Sequence, residues 1–385
     1  MELNFSKRIR INLPDLSYYI AVAYFLIYEM FSTTMIDFGV RWFYFAVMGM
    51  LLAGRVIFVK YTNRQLFLAS TILIVGIISW RLTGQSYPMK LAAVIASGIN
   101  IKFETLLRIY MSIVGGILIL SLILSLTGVI QNLTYMRIRD GHMYVRQSFG
   151  SIYPTNFASH LLYLYLFLAY LRREVFGIGM LSLGWGASVF VYIYNDARFN
   201  AVLLAIAATL FYMASKQWLP RRLIRVSVIS FPVMGFVSII LAKVYNPSNT
   251  FFLMFNKFLS NRLYLMHKMF EDNPLRIFGQ KVKLFGFGRT TELPEIYNYI
   301  DNSYFQIALL YGVAFLICIL VLFTLLHYQA IKYKNVFLVV ILVIVSLSSF
   351  VEENLISISY NILCISFFAN FRFRKFVSQR SQVED

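Results

Sequence analysis

The chain has 385 residues, of which 59% are hydrophobic, 17% are aromatic and only 14% are charged. Its mean hydropathy of +0.69 excludes an ordinary soluble domain, and its many separate apolar runs of about 17 to 25 residues indicate a polytopic helical membrane protein. In a soluble protein a net charge of +18 would suggest nucleic acid, but cytoplasmic loops rich in Lys and Arg explain it here, so we predict no nucleic-acid partner.

Twelve apolar runs are candidate membrane spans, and they predict an all-α fold in which residues 1–385 form a single membrane domain. No small-residue cleavage site follows the first run, so we interpret it as a retained helix rather than a signal peptide. Cys318 and Cys364 lie in apolar runs and indicate neither a disulfide framework nor a metal site. The predicted spans are residues 16–36, 41–58, 66–83, 86–101, 105–130, 153–172, 175–195, 198–215, 222–244, 303–327, 335–350 and 354–371.

The distribution of Lys and Arg gives these spans an orientation. If the N-terminus is inside, every predicted inner loop is basic, whereas the short outer loops carry few cations. We therefore predict a multi-pass protein of the plasma (inner) membrane with both termini in the cytoplasm. The basic residues of the two termini are Lys7, Arg8, Arg10, Arg372, Arg374, Lys375 and Arg380.

The longest predicted loop, about 245–302, joins spans nine and ten on the outer side. Apolar residues recur there at spacings of three and four from Phe255 to Met269, which predicts an amphipathic helix over about 251–271 at the membrane interface. The dipeptide Asn273-Pro274 ends this helix. Asp301-Asn302-Ser303 is suited to cap the span that follows.

Ionisable residues in or beside membrane spans are costly and by default mark a functional site. Most of them here lie at the predicted outer ends of the spans. Tyr153, Asn156 and His160 have helical spacing and share one face of the sixth span. The outer-end candidates are Glu29, Arg146, His160, Asp196, Arg198, Arg262, His267, Arg276, Lys281, Lys283, Arg289, Glu352 and Glu353.

Several arginines at one depth indicate a bound anion, because the planar guanidinium matches phosphate oxygens and stays charged. A polyprenyl diphosphate carrier is such an anion, and the carboxylates and histidine are candidates for a general base. Simpler interpretations remain open. Arg146 and Arg198 can snorkel to lipid phosphates, and His160 can hydrogen-bond between helices. Glu352 and Glu353 can cap the twelfth span, and Glu29 can pair with a neighbouring helix.

Five short motifs occur in order along the chain: Arg146-Gln-Ser-Phe-Gly150 with Tyr153-Pro-Thr-Asn156; Asp196-Ala-Arg198; Leu259-Ser-Asn-Arg262; Pro274-Leu275 with Ile277-Phe-Gly279; and Asp301-Asn-Ser-Tyr304 with Leu310-Tyr-Gly312. In this order they resemble bacterial polysaccharide polymerases of the Wzy type, which are related to the O-antigen ligases. Many members carry a histidine before the proline of the first motif. This chain has Tyr153 at that position and a histidine only later, at His160.

The resemblance implies a metal-independent glycosyltransferase that needs no cofactor. A sugar hydroxyl of one lipid-linked repeat unit attacks the anomeric carbon of an undecaprenyl-diphosphate-linked glycan and expels the diphosphate, so that surface polysaccharide (O-antigen, capsule or exopolysaccharide) grows outside the membrane. Membrane lipid is a further partner, and whether a chain-length regulator and a flippase also bind stays open. The implied roles are Arg146, Arg198, Arg262 and Arg289 for the diphosphate, Glu353, Glu352 and His160 for the base, and Tyr153, Asn156, Asp301 and Asn302 for the glycan.

Two other functions compete with this interpretation. An O-antigen ligase-like enzyme of the same superfamily would move a finished glycan to another acceptor. A twelve-span transporter or lipid-linked glycan flippase would place its charges near the bilayer midplane and show matching halves. Charges at the outer ends and one long asymmetric loop count against transport.

Overall fold

The computed structural model describes residues 12–371 apart from 38, 40–42, 140 and 293. The basic residues of both termini therefore lie outside the described residues, as does Arg41. The described helices are α1 (Leu13–Ser32), α2 (Phe43–Phe58), α3 (Asn63–Thr83), α4 (Tyr87–Ser97), α5 (Phe103–Leu126), α6 (Pro154–Leu171), α7 (Ile178–Phe190), α8 (Arg198–Ser215), α9 (Arg221–Val226), α10 (Ser230–Val244), α11 (Thr250–Phe258), α12 (Arg262–Asp272), α13 (Ser303–Leu310), α14 (Val313–Lys332) and α15 (Val336–Val351).

Helices that suit a membrane dominate the described part of the chain. Six helical stretches there are long and apolar enough to cross a membrane, which supports the prediction of a helical membrane protein in this general form. They are Asn63–Thr83, Phe103–Leu126, Ile178–Asn195, Arg198–Ser215, Arg221–Val244 and Val313–Lys332. Helices also occupy the other predicted spans except the twelfth.

The core of the bundle surrounds α15. This helix packs against α8, α10 and α14, and most of its side chains are buried on every face, as expected for a helix that is apolar all round. Large aromatic side chains such as Phe167, Phe211, Phe231 and Tyr304 fill the space beside it. The outer helix α7, by contrast, leaves most of its side chains exposed.

The predicted twelfth span, 354–371, is not an α-helix. This segment is irregular apart from one short 3₁₀ turn, Ile362–Ile365, yet it is almost completely buried. At its start, the Leu355 amide donates to the Ser303 hydroxyl. At its end, Asn370 forms an isolated parallel β-bridge with Lys102. Irregular backbone is stable at such depth only when protein groups bond it.

Side chains supply those bonds. Asn361 donates to the Leu355 carbonyl at 2.7 Å and accepts from the Leu363 amide at 3.2 Å. The hydroxyl of Tyr110 donates to the carbonyl of Tyr360 at 2.6 Å. Hydrogen bonding thus replaces the helical ladder, and the segment links one end of the bundle to the other.

Two further predictions of helix were wrong in detail. The single amphipathic helix over 251–271 is instead two helices, α11 and α12, because Ser260 and Asn261 both adopt left-handed backbone angles. The span over 303–327 is broken between α13 and α14 at Gly312, where φ is +101°. A Cβ at Gly312 would collide with the backbone of residues 277–279, which packs into the break.

A β-hairpin lies between α5 and α6, so the structure is mostly helical as predicted but not all-α. Strand β1 (Thr134–Arg139) pairs antiparallel with β2 (His142–Gln147), with Tyr135 opposite Arg146 and Met136 opposite Val145. Gly141 between the strands has φ of +79°, as a tight turn requires. The hairpin places Arg146 on a strand rather than in a loop.

Candidate functional site

Arg146 is a buried cation that lacks a counter-ion among the described residues. Its side chain is only 6% exposed. Nε donates to the Asn195 carbonyl at 3.1 Å, and Nη1 donates to the Tyr153 hydroxyl at 3.1 Å, with the guanidinium 5.2 Å from the Tyr153 ring centroid. All these partners are neutral. A buried arginine held by neutral groups alone favours an anion beside it.

The backbone around Asn195 is shaped to hold Arg146. The last turn of α7 widens into a π-helical turn, Val191–Asn195, and Asp196 then adopts a left-handed conformation that ends it. This turn directs the Asn195 carbonyl at Arg146, and the Asn195 side chain donates to the Gln147 carbonyl at 2.7 Å. Both contacts fix strand β2 to the end of α7.

Arg262 lies at the start of α12 and joins two carboxylates. Its Nε is 2.7 Å from Asp301 Oδ2, and its Nη2 is 3.3 Å from Glu352 Oε1. Burial opposes the charged form, but the two carboxylates raise the pKa of Arg262 above its usual range. Arg262 is therefore neutralised within the protein, unlike Arg146. The ion pairs connect three distant parts of the chain: α12, the segment before α13 and the end of α15.

Glu352 and Glu353 follow α15 directly and are held in different ways. Burial raises the pKa of Glu352; Arg262 opposes that rise, and Asp301 and Glu353 add to it. Glu353 accepts hydrogen bonds at Oε2 from Tyr299 at 2.5 Å and Gln306 at 2.8 Å. Burial also raises the pKa of Glu353, against the effect of these two donors. The suggestion that the pair caps a twelfth helical span is wrong, because residues 354–371 form no α-helix.

Four aromatic rings form a wall next to Arg146. Tyr135 and Tyr153 meet edge to face at 4.7 Å between centroids, Tyr153 stacks on Phe287 at 5.6 Å, and Phe287 contacts Tyr297 at 5.4 Å. The Tyr135 hydroxyl donates to the Ile152 and Thr290 carbonyls, which ties the hairpin to the 245–302 segment. We name Tyr135, Tyr153, Phe287 and Tyr297 the aromatic wall.

The other two predicted arginines are far more exposed than Arg146 and Arg262. The Arg198 side chain is 47% exposed and pairs with Asp196 at 3.4 Å. Arg289 is 42% exposed and lies 3.9 Å from Asp37, which is itself 91% exposed. Snorkelling remains an adequate explanation for Arg198, but it does not explain the buried Arg146.

The remaining predicted residues have different surroundings. His160 is completely buried, with Nε2 2.9 Å from the Thr33 hydroxyl and its ring stacked on Tyr360 at 4.2 Å. Asn302 is also buried, and it caps α13 by accepting from the Phe305 amide, as predicted. The Asn302 amide also donates to the Phe350 carbonyl, so this side chain bonds backbone and is not part of the aromatic wall. Asn156 is half-buried in the first turn of α6.

Sequence reasoning missed the groups that complete the cluster. Tyr135, Phe287 and Tyr297 belong to the aromatic wall, while Tyr299 and Gln306 hold Glu353. A local signal existed only for Phe287, which lies between Gly286 and Gly288, and paired glycines indicate irregular backbone. The other contacts depend on tertiary packing.

No family model, no curated protein and no solved structure matches this chain. The chemistry of the site therefore rests on the charges, burial and hydrogen bonds of its own residues.

Proposed function

We propose that this chain is a membrane-embedded glycosyltransferase that polymerises glycan repeat units carried on a polyprenyl diphosphate, as the resemblance to Wzy-type polymerases implies. The observation that carries the proposal is Arg146, a buried guanidinium with neutral partners and no carboxylate within 4 Å among the described residues. An anionic substrate group supplies the missing negative charge.

Arg146 acts on the leaving group. When the glycosidic bond to the carrier breaks, the electron pair goes to the diphosphate, and its negative charge grows. A fixed guanidinium stabilises that charge without having to reorganise first, which is the condition for lowering the barrier. Tyr153 and Asn195 orient the Arg146 guanidinium, because they bond two of its nitrogens before substrate binds.

Glu352 is the best-placed general base. As the acceptor oxygen bonds to the anomeric carbon, its proton must leave, and a carboxylate whose pKa burial raises accepts it more readily than a free glutamate does. One oxygen of Glu352 bonds Arg262, while the other makes no hydrogen bond to a described residue. Glu353 is held by Tyr299 and Gln306 and is the second candidate.

The aromatic wall suits a glycan. Sugar rings present C–H groups on their faces, and these pack well on the electron-rich faces of aromatic rings. Tyr153 both contacts Arg146 and stacks on Phe287, so a sugar on this wall would lie beside the diphosphate. This supports a donor whose first sugar is attached directly to the anion.

We further infer a topology of twelve crossings with both termini in the cytoplasm. Eleven crossings are helical, and the irregular segment 354–371 forms the twelfth. The end of the bundle that carries Arg146 and Arg262 then faces outside, and the segment 245–302 is an outer loop.

The proposal is tested by deleting the gene in its host, examining the surface glycan on a gel and complementing with variants. Arg146→Ala should leave only single repeat units, and Arg146→Lys should do the same, because a lysine cannot form the same fork. Arg221→Ala, which alters an exposed arginine at the start of α9, is the control and should restore the ladder of chain lengths.

Other outcomes would support the competing functions. Long chains that stay on the carrier would indicate a ligase. Repeat units that accumulate on the inner face would indicate a flippase. A normal ladder from Arg146→Ala, with the variant present at wild-type level, would remove the basis of the proposal.

A further inference from the structure

The β-hairpin has its apolar face turned away from the protein. The register pairs Met136 with Val145 and Ile138 with Met143, and directly paired residues of an antiparallel ladder share a face. Between 47% and 79% of each of these four side chains is exposed. We name Met136, Ile138, Met143 and Val145 the outer hairpin face.

The opposite face of the hairpin is polar and points inward at its base. Tyr135 and Arg146 are directly paired there, and they are only 7% and 6% exposed. In water a two-stranded hairpin buries its apolar face and exposes its polar one. This hairpin does the reverse, which is the arrangement expected where hydrocarbon rather than water covers the outside.

The outer hairpin face continues an apolar stripe on α5. Ile119, Ile123 and Leu126 recur at helical spacing, and all three are more than half exposed, as is Val129 just after the helix. Helix α5 is long and apolar enough to cross a membrane, so this stripe faces lipid if the helix does. The chain passes from the stripe into β1 within a few residues.

We propose that the outer hairpin face lies in the lipid bilayer at the membrane interface, so that strand β2 separates lipid on one side from Arg146 on the other. The strand thereby holds a residue of the anion site at the depth of lipid headgroups. An anion attached to a hydrocarbon chain can then reach Arg146 while its tail stays in the bilayer. The lipid contact itself does not depend on the proposed enzymatic activity.

Adjacent residues on β2 provide a matched test, because Met143 and Tyr144 point to opposite faces of the same strand. Met143→Cys and Tyr144→Cys are each labelled with the environment-sensitive fluorophore NBD in the full chain, reconstituted in phosphatidylcholine vesicles with and without bromine-labelled acyl chains. The unsubstituted protein, which has Cys318 and Cys364, is labelled in parallel to measure background.

We expect blue-shifted emission at position 143 that brominated lipid quenches strongly, and weaker quenching at position 144. Red-shifted, unquenched emission at both positions would overturn the proposal by showing water on both faces. Blue-shifted emission at 143 without quenching would overturn it as well, because protein, such as a second copy of the chain, would then cover the face.

Discussion

Asp301→Asn tests whether Glu352 accepts a proton in the proposed reaction. Both carboxylates bond the Arg262 guanidinium, Asp301 at 2.7 Å and Glu352 at 3.3 Å. Burial raises the pKa of Glu352, Arg262 opposes that rise, and the Asp301 charge adds to it. The substitution removes a like charge and leaves Arg262 to Glu352 alone, and both changes lower the pKa of Glu352.

Coulomb's law gives the size of the effect. Two carboxylates on one guanidinium lie about 6 Å apart, and at an effective dielectric constant of about 20 their repulsion is about 3 kcal/mol, or about 2 pKa units. The Asp301 side chain is 24% exposed, so water screens part of this repulsion. We therefore expect the pKa of Glu352 to fall by about 1 unit.

A base must be deprotonated to act, so the rate rises with pH through its pKa. A lower pKa moves this rising part of the pH–rate profile, the rising limb, to lower pH. The assay measures initial rates of chain growth across pH, with purified protein in lipid vesicles and a synthetic polyprenyl-diphosphate-linked repeat unit. Asp272→Asn, which changes an exposed carboxylate at the other end of α12, is the control and should leave the limb unchanged.

A rising limb that stays in place or moves to higher pH in Asp301→Asn would refute Glu352 as the base. If Glu353→Gln abolished the rising limb while Glu352→Gln kept it, the proton acceptor would be Glu353. The rate of Asp301→Asn at its own optimum separates this effect from damage to the fold, because a misfolded variant loses activity at every pH.

Three other changes test the site and the fold. Arg146→Lys should lower the rate of chain growth about 100-fold, because a lysine lacks the planar fork whose separate nitrogens bond Asn195 and Tyr153 and leave donors for a diphosphate. Gly312→Ala should lower the free energy of unfolding by about 2 kcal/mol or more, because φ is +101° and the added methyl meets backbone. Asn361→Ala should lower it by about 2 to 4 kcal/mol, since two buried backbone groups lose their partner.

The two stability predictions have controls within the chain, measured by thermal unfolding in detergent. Gly186→Ala adds a methyl into open space on α7 and should leave stability nearly unchanged. Asn354→Ala removes a buried amide whose nitrogen has no partner among the described residues, so it should destabilise less than Asn361→Ala. Equal losses in each pair would contradict the stated causes.

The sequence was informative wherever one signal dominated. Long apolar runs gave helices at eleven of the predicted positions, because burying or embedding such a run outweighs local propensity. The segment 354–371 was apolar too, but its Asn and Ser residues recur every few positions. Apolar composition predicts burial, and it cannot distinguish a helix from irregular backbone that side chains such as Asn361 bond.

The hairpin, in contrast, was present in the sequence and was overlooked. Residues 136–139 alternate apolar and polar side chains, and the dipeptide Asp140-Gly141 is a strong hairpin signal. Predicting spans from apolar runs alone leaves residues 131–152 as a connection and misses the strand that carries Arg146. A period of two rather than 3.6 would have identified it.

The site itself was only partly predictable. Charge and depth brought Arg146, Arg262, Glu352 and Asp301 to one end of the bundle. No sequence rule states which arginine meets which carboxylate, because those pairings join residues 39 and 90 positions apart. The pairing matters for the proposed chemistry, because it leaves Arg262 neutralised by carboxylates and Arg146 bonded only to neutral groups of the described residues.

That difference assigns the two buried arginines to different parts of the proposed reaction. A diphosphate approaching Arg262 would meet the charges of Asp301 and Glu352, whereas Arg146 forms no ion pair with a carboxylate of the described residues. The leaving group therefore belongs at Arg146 and the attacking hydroxyl at Glu352, which is close enough for the Arg146 charge to lower its pKa. Displacement at a sugar carbon needs the entering and leaving oxygens on opposite sides of that carbon. We therefore expect Arg146 on the side of the leaving oxygen and Glu352 on the side of the entering oxygen, with Arg262 holding the Glu352 carboxylate at 3.3 Å.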